Sequence, residues 1–155
     1  MIAGRLLGIA RHDRPRGAIE TLDSAIVTIP LGIHGDYRGA VKPGGRGRRQ
    51  VTVISRNGWQ ATLTELGGPS LDWSVRRANL LVDGLDLPRT PGARLCFAGG
   101  VVLEVTGECD PCRRMDAIAP GLHDALKPDW RGGITARVLA DGGLTVGDEV
   151  RIEEP

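Results

Sequence analysis

Glycine and proline interrupt nearly every apolar run of this chain, and this spacing is the strongest constraint on its fold. The 155 residues include 23 glycines and 10 prolines, together about a fifth of the chain, against an ordinary usage of about 12 %. They follow no period, which excludes a collagen-like repeat, and they separate short runs rich in Val, Ile and Leu. The pattern predicts many short strands joined by turns.

Eight short runs have the composition of β-strands. The clearest is residues 50–55, in which β-branched residues follow one another. Gly99-Gly100 separates two of the runs and Asp141-Gly142-Gly143 separates two others, and both spacings predict tight hairpins. The predicted strands are residues 6–10, 25–29, 50–55, 94–98, 101–106, 134–139, 144–146 and 148–152.

Two segments carry helical signals. Asn57 is a candidate N-cap for a helix that runs to Leu66, where two glycines and a proline follow, and residues 121–127 form a second candidate that Pro128 ends. Many short strands with two or three short helices favour a mainly β fold. We therefore predict one domain over residues 1–155, built as a closed or partly open antiparallel β-barrel.

Charge and cysteine content narrow the class of protein. The chain has 20 basic and 19 acidic residues and a net charge of +1, so nothing attracts it as a whole to nucleic acid or to an anionic membrane surface. The apolar opening stretch, residues 1–10, is too short and too broken by glycine for a signal peptide or a membrane span. Three cysteines, an odd number, argue against a secreted disulfide framework. We expect a cytoplasmic protein with neither nucleic acid nor membrane as a partner, and a homo-oligomer stays open.

The segment best suited to chemistry is residues 106–116, where Cys109 and Cys112 directly follow a predicted strand. Reactive groups commonly lie where a rigid strand gives way to a loop. The thiolate is the nucleophilic form of cysteine, and adjacent cations such as Arg113 and Arg114 favour it. A thiolate is also a ligand for soft metals. The segment therefore predicts a reactive or metal-binding cysteine.

Three interpretations of the cysteine pair need no family. A dithiol redox pair fits poorly, because this C-x-x-C does not open a long helix after a βαβ pattern. A structural zinc site needs four ligands, and Cys96, His12, His34 and His123 supply no second closely spaced pair. The third interpretation is a turn of small residues flanked by solvated charges. Cys96, in the middle of an apolar run, is expected to be an ordinary buried residue.

Two further segments suit an anionic ligand. Residues 32–39 carry closely spaced glycines and lead into a basic loop, and residues 76–87 begin with two arginines. Glycine lets a backbone approach a ligand, and the guanidinium fork suits phosphate or carboxylate. Neither segment has the spacing of a Walker or dinucleotide motif, and a solvated loop or a salt-bridged turn is the alternative for each. The candidate ligand-binding residues are Gly35, Asp36, Arg38, Arg49, Arg76, Arg77, Asn79, Arg113 and Arg114, and the candidate catalytic residues are Cys109 and Cys112.

In order and spacing, these segments resemble the MOSC domain, the family named after the C-terminal domain of molybdenum cofactor sulfurase. The resemblance extends from about residue 4 to residue 152, and no single segment carries it alone. The matching segments are residues 32–36, 49–54, 77–85, 91–95, 103–107, 111–115, 132–138 and 146–148.

The resemblance implies a β-barrel with one signature cysteine that carries sulfur or ligates molybdenum, and by position that cysteine is Cys112. Cys109 matches no obligatory position of the family. The resemblance also implies binding of the molybdenum–pterin cofactor (molybdopterin), and some relatives reduce N-hydroxylated bases and amidoximes. The pyridoxal-phosphate-binding region of the full sulfurase has no counterpart in this sequence. With Lys42 and Lys127 as the only lysines, pyridoxal phosphate is not expected to bind this domain alone.

Three hypotheses follow from the sequence. The first is a cofactor-dependent oxidoreductase in which Cys112 ligates molybdenum, the arginines anchor the cofactor and an electron-donor protein supplies reducing equivalents. The second is a sulfur carrier that holds a persulfide on Cys112, loaded by a cysteine desulfurase and passed to an acceptor. The third is a non-catalytic domain that binds an anionic small molecule, with both cysteines incidental.

Overall fold

The structure is a computed structural model that describes residues 3–155. Met1 and Ile2, the first residues of the apolar opening stretch, lie outside this range. The elements in chain order are β1 (Ala3–Arg11), β2 (Glu20–Leu22), β3 (Ser24–Thr28), β4 (Gly32–Ile33), β5 (Val51–Ser55), α1 (Arg56–Glu65), a 3₁₀ turn (Trp73–Arg76), β6 (Leu80–Asp83), β7 (Arg94–Phe97), β8 (Val102–Glu108), α2 (Met115–Ile118), α3 (Leu122–Ala125), a second 3₁₀ turn (Pro128–Trp130), β9 (Ile134–Ala140), β10 (Gly142–Thr145) and β11 (Glu149–Glu153).

Seven strands close into a barrel. Around the barrel the order is β1, β11, β7, β8, β9, β5 and β6, and β6 pairs again with β1. The prediction of a mainly β barrel with short helices is confirmed. One pair of neighbours departs from the antiparallel arrangement: β5 and β6 are parallel. Their connection passes through α1 and the first 3₁₀ turn, the kind of crossover that parallel neighbours require.

The run of β-branched residues in β5 is explained by burial on both sides. Val51 and Val53 belong to the aliphatic core inside the barrel. Ile54 points the other way and packs with Trp59 and Leu122 in a second apolar cluster beneath the helices. A strand covered on both faces is apolar throughout instead of alternating. The strand therefore links the barrel to its helical layer.

The helices are short and lie outside the barrel. Helix α1 begins two residues earlier than predicted, because Ser55 and not Asn57 is the N-cap: the Ser55 hydroxyl accepts the N–H of Gly58 at 3.0 Å. The second predicted helix is shorter than expected and covers only Leu122–Ala125. Helix α2, which sequence reasoning missed, begins three residues after Cys112.

One of the two predicted hairpins forms. Strands β7 and β8 pair across Gly99-Gly100, as predicted. The hairpin predicted at residues 141–143 is wrong: β10 leaves β9 and pairs with β3, forming a separate sheet of β10, β3 and β4. There the backbone of Gly142 lies so close to the other turn that a Cβ would be 2.5 Å from the carbonyl oxygen of Gly99. The glycines serve this close approach of two turns.

Candidate functional site

Most of the candidate residues from three separate sequence segments line one cavity of about 490 Å³, here called the arginine cavity. It is bounded by the loop after β1, the loop between β4 and β5, strand β5, the first 3₁₀ turn with the residues that lead into β6, and the segment that carries Cys112. Eight of the eleven candidates line it, and Cys109, Gly35 and Arg113 do not. The lining residues are His12, Pro15, Arg16, Asp36, Tyr37, Arg38, Arg49, Thr52, Arg76, Arg77, Asn79, Cys112, Arg114 and Met115.

Cys112 lies in the turn that enters helix α2. Its carbonyl oxygen accepts the N–H of Met115 at 3.0 Å, and the side chain of Met115 is buried among the helices. This buried anchor fixes the turn while the thiol of Cys112 stays exposed and on the cavity. The arrangement presents a thiol on a fixed support and open to solvent.

Cys109, three residues earlier, lies in a different environment. Only 2 % of the residue is exposed, and its N–H donates to the carbonyl of Gly133 at 2.8 Å. Its sulfur is 3.4 Å from Nη2 of Arg76 and 3.7 Å from Nη2 of Arg49. Cys109 therefore lies behind the cavity wall, against two of the arginines that line it. All three cysteines of the chain are free thiols in the structure.

Arg76 is the most unusual side chain of the cavity, because it is a cation that is only 6 % exposed. Its Nη2 donates to the carbonyl oxygens of Gly132 at 2.9 Å and Cys109 at 3.1 Å. Its Nε is buried and has no hydrogen-bond partner, and Arg76 forms no ion pair within residues 3–155. Buried cations are normally paired, and a buried unpaired donor is costly. These are the properties expected of a residue whose missing hydrogen bonds and charge partner are supplied by a bound ligand.

Arg77 is held in the left-handed backbone region, with φ of 67° and ψ of 23°. It ends the 3₁₀ turn Trp73–Arg76, which is capped by the Asp72 carboxylate, and its guanidinium donates to the carbonyl of Gly17 at 2.8 Å. This conformation is costly for a residue with a Cβ, and residues held in it tend to cluster at functional sites. It follows directly on Arg76, so two consecutive guanidinium groups line the same cavity.

The basic loop between β4 and β5 is fixed at its ends by buried polar groups. Gln50 is buried and donates to the carbonyls of Ile29 and Gly39, while its own oxygen accepts the N–H of Val138. Asp36, at the other end, accepts the N–H of His12 at 3.2 Å. These bonds hold Arg38 and Arg49 beside the cavity.

Asn79 lines the cavity, but its amide is already engaged by the barrel. Its oxygen accepts the N–H and the hydroxyl of Thr52, and its nitrogen donates to the carbonyl of Ala10 at 3.1 Å. It thus joins β1, β5 and β6 at the cavity floor. The structure gives Asn79 a positioning role, while direct contact with a ligand remains a prediction.

The remaining candidates lie off the cavity. Gly35 has φ of 84° and packs against the guanidinium of Arg11, so a turn explains it. Arg113 is exposed to solvent. Cys96, predicted to be buried, is only partly so, because its neighbours on β7, Leu95 and Phe97, point into the core and Cys96 lies on the opposite face of the strand. Burial and the nearby Glu153 carboxylate raise the pKa of the Cys96 thiol.

The acidic residues next to the cysteines do not cancel the charge of the cavity. Burial and the neighbouring Asp110 raise the pKa of Glu108, so Asp110 interacts with Glu108 and does not line the cavity. Asp116 accepts the N–H of His123 at 3.0 Å. Within residues 3–155 the cavity lining contains six arginines and a single carboxylate, that of Asp36. The arginine cavity is therefore strongly cationic and suits an anionic ligand.

Sequence reasoning missed several lining residues. His12 and Arg16 come from the loop after β1, and Tyr37 lies between two residues that were identified. His12 was considered only as a zinc ligand. The available signal was a charged segment, residues 11–16, at the end of an apolar strand, but nothing in it showed which other loop it would meet.

Residues 3–155 contain no cluster of three or more His, Cys, Asp or Glu side chains arranged to hold a metal ion. In the same part of the chain, no helix combines the length and the apolar character needed to cross a membrane.

Comparison with solved structures identifies proteins of the same fold. The YuaD protein of Bacillus subtilis superposes with a TM-score of 0.79 at 22 % identity, covering 97 % of this chain and 96 % of that one. YiiM of Escherichia coli gives a TM-score of 0.70 at 15 % identity, over 97 % of this chain and 70 % of YiiM. YiiM of Geobacillus stearothermophilus gives 0.65 at 16 % identity, over 99 % and 75 %. At these identities the likeness establishes the fold alone.

Sequence comparison shows the family to which the chain belongs. No curated protein sequence matches it. The model of the MOSC domain family matches residues 33–151, which is more than half of the chain and includes Cys112 and the arginines of the loop and of the 3₁₀ turn. The chain belongs to the MOSC domain family.

Proposed function

We propose that this MOSC protein binds the molybdenum–pterin cofactor in the arginine cavity, with Cys112 as a ligand of molybdenum. The observation that carries the proposal is the convergence of an exposed thiol and six arginines on one cavity of about 490 Å³. Cavities of roughly 300–1,000 Å³ are typical of small-molecule and cofactor sites. The volume and the mixture of a soft ligand with hard cations both fit a group that carries a metal and a phosphate.

The residues present suit the two ends of such a cofactor. A thiolate is a favourable ligand for a soft metal, and Cys112 is the thiol that the cavity exposes. The guanidinium forks of Arg76, Arg77 and Arg38 suit a phosphate. The unpartnered Nε of Arg76 is a donor that a buried phosphate or pterin acceptor would satisfy. These side chains would bind and orient the cofactor and exclude water from its buried end.

The bound cofactor would supply a redox-active metal. The reaction class that we propose is reduction of an N-hydroxylated compound, a half-reaction that consumes two electrons and two protons and releases water. An electron-donor protein would provide the electrons. The exposed position of Cys112 favours this, because a partner protein can approach the reacting centre closely.

The test is metal analysis of protein purified from cells that supply the cofactor. The wild type should carry close to one molybdenum per chain, and Cys112→Ser should carry almost none. Cys96→Ser is the matched control: its thiol lies on β7, outside the cavity, and the variant should retain the metal. A wild-type protein without molybdenum, expressed under conditions that load other molybdenum enzymes, would refute the proposal.

A sulfur carrier is the second candidate, and it is favoured by the same exposure of Cys112. The thiol can be reached by a cysteine desulfurase without opening the fold. Mass spectrometry of the same samples, after incubation with the desulfurase and free cysteine, separates the two functions. Sulfur added to Cys112 in a metal-free protein supports the carrier, and molybdenum without added sulfur supports the oxidoreductase. A third outcome is a wild-type protein that carries neither metal nor added sulfur and a Cys112→Ser variant that binds anions as well as the wild type. That outcome would support a non-catalytic anion-binding domain.

A further inference from the structure

His12 is a titratable side chain of the arginine cavity that the proposed function leaves without a role. It follows directly on β1, and its side chain is only 10 % exposed. Nδ1 is buried without a hydrogen-bond partner, and within residues 3–155 no hydrogen bond to Nε2 is formed either. An imidazole that lines a cavity with no hydrogen bond at either ring nitrogen is available to bind and release a proton.

A buried carboxylate accompanies this imidazole. The side chain of Asp36 is 1 % exposed, and its Oδ1 lies 3.9 Å from Nδ1 of His12. Two hydrogen bonds hold the residues together: the backbone N–H of His12 donates to Oδ1 of Asp36 at 3.2 Å, and the N–H of Tyr37 donates to the carbonyl of His12 at 2.7 Å. The imidazole and the carboxylate therefore cannot move apart without breaking the contact between the two loops.

The charges around His12 oppose one another. Burial lowers the pKa of His12 below its ordinary value of 6.5, the Asp36 carboxylate opposes this, and the cations Arg77 and Arg38 lower the pKa further. Asp13, on the same loop, acts in the direction of Asp36, and the ring of Tyr37 lies 6.3 Å away. In the free protein the imidazole is thus mainly neutral at pH 7.

We propose that His12 is the proton carrier of the arginine cavity, so that binding of an oxyanion to the arginines is coupled to the uptake of one proton by His12. The proton comes from solvent and forms an N–H bond of the imidazolium, and no electrons are transferred. An anion near Arg77 and Arg38 cancels their repulsion of the imidazolium, and Asp36 then stabilises the charged ring. The inference rests on the proposed function only in placing a ligand in this cavity.

The role would matter for the proposed reaction. Departure of oxygen as water from an N-hydroxylated compound needs protons in a cavity whose other cations are arginines, and arginine does not release protons near neutral pH. His12 is the histidine that lines the cavity. Coupling its protonation to occupancy would deliver a proton when a ligand is in place.

The test uses sulfate, an oxyanion that does not itself titrate near neutral pH. Isothermal titration calorimetry of the full chain in buffers of different ionisation enthalpy, from about pH 6 to about pH 8, counts the protons taken up on binding. The wild type should take up a proton, in increasing proportion as the pH approaches that of the His12 transition. The sulfate affinity should fall as the pH rises, by up to about tenfold per pH unit. His12→Gln should bind sulfate with neither proton uptake nor this pH dependence.

His34→Gln is the matched control. His34 is also half-buried, but Nε2 is hydrogen-bonded to the hydroxyl of Thr28 at 2.9 Å, and it does not line the cavity. This variant should take up protons as the wild type does. Sulfate binding to the wild type without proton uptake, or no sulfate binding at all, would overturn the inference. So would proton uptake that survives in His12→Gln.

The wild-type measurement decides the matter even if His12→Gln does not fold. In that case, NMR of the histidine rings in the wild type should show one ring titrating at a higher pH when sulfate is present, and three unshifted rings would contradict the proposal. Failure of the proposed function has a different signature, the absence of molybdenum on the purified protein. The two failures are therefore distinguishable.

Discussion

The interior of the barrel is formed mainly by strands and the arginine cavity mainly by the loops between them, and the two regions satisfy their polar atoms to different degrees. Inside the barrel, aliphatic side chains such as Leu6, Leu103 and Ile134 are fully buried against one another. Residues 3–155 contain three buried side-chain nitrogen atoms without a hydrogen-bond partner, and two of them, on His12 and Arg76, line the arginine cavity. The third, Nε of Arg137, lies 3.1 Å from the Glu104 carboxylate. The barrel completes its own interactions, whereas the cavity leaves polar groups for a ligand.

This difference indicates that the barrel interior provides the stability of the fold and that the arginine cavity provides its ligand-binding groups. Burial of the aliphatic core is the main source of stability. The cavity works against it, because it concentrates cations, buries Arg76 without a carboxylate and holds Arg77 in a left-handed conformation. Substitutions in the two regions should therefore have opposite profiles: loss of stability in the barrel, and loss of ligand binding with little loss of stability in the cavity.

The largest expected effect is at the contact between the barrel turns. In Gly142→Ala, the new Cβ would lie 2.5 Å from the carbonyl oxygen of Gly99 and 2.8 Å from the backbone nitrogen of Val101. Backbone atoms cannot move aside cheaply, so we expect a loss of about 3 kcal/mol in the free energy of unfolding. Urea denaturation measures it.

The neighbouring glycine provides the control for this prediction. A Cβ on Gly143 would meet nothing closer than the carbonyl oxygen of Ala25 at 3.9 Å, and Gly143 does not have a positive φ. Gly143→Ala should therefore change the free energy of unfolding by less than about 1 kcal/mol. Equal losses in the two variants would mean that the turns are not packed together as described.

A smaller effect on the free energy of unfolding is expected at Arg77, where the substitution should also weaken ligand binding. Arg77→Gly and Arg77→Ala both remove the guanidinium, and both should weaken sulfate binding equally. With φ at 67°, alanine keeps the left-handed strain of about 1–2 kcal/mol, which exceeds the entropic cost of glycine of about 0.4–1 kcal/mol. The glycine variant should therefore be more stable than the alanine variant, by about 1 kcal/mol, in urea denaturation without ligand. An alanine variant as stable as the glycine variant would show that the backbone is not strained there.

The same comparison explains how far the sequence could predict the structure. The barrel was predictable because its strands are short β-branched runs between glycines, and the positions of most strands agree with the structure to within one or two residues. Strand β6 was missed because its apolar residues Leu80, Leu81 and Val82 are all buried, and a strand covered on both faces shows no alternation. The hairpin at residues 141–143 was wrong because glycines that serve a close backbone approach resemble glycines that make a turn.

The candidate site was predictable in its chemistry and not in its assembly. Cys112 and the arginines were identified by residue type and by resemblance, and eight of the eleven candidates line one cavity. The burial of Cys109 and the exposure of Cys112 could not be derived, because the two lie in one short loop whose direction is set by contacts with Gly132 and Gly133. His12 was missed for the same reason: its partner Asp36 is 24 residues away, and only the fold brings them together.

The smallest expected effect concerns the pH dependence of stability. It connects the two regions, because a side chain of the arginine cavity changes the free energy of unfolding of the whole domain. Because the pKa of His12 in the folded protein is lowered from 6.5, the unfolded chain takes up a proton first as the pH falls. The contribution of His12 to stability is therefore constant above about pH 6.5 and is lost as the pH falls toward the folded-state pKa. A single proton limits the slope to about 1.4 kcal/mol per pH unit. Urea denaturation from about pH 5 to about pH 8 should show this loss in the wild type and in His34→Gln, and not in His12→Gln.

With saturating sulfate, the pH dependence of the wild-type stability should reverse its sign, since the occupied cavity favours the charged imidazole. A wild-type slope that is the same with and without sulfate would show that the cavity and the histidine are not coupled.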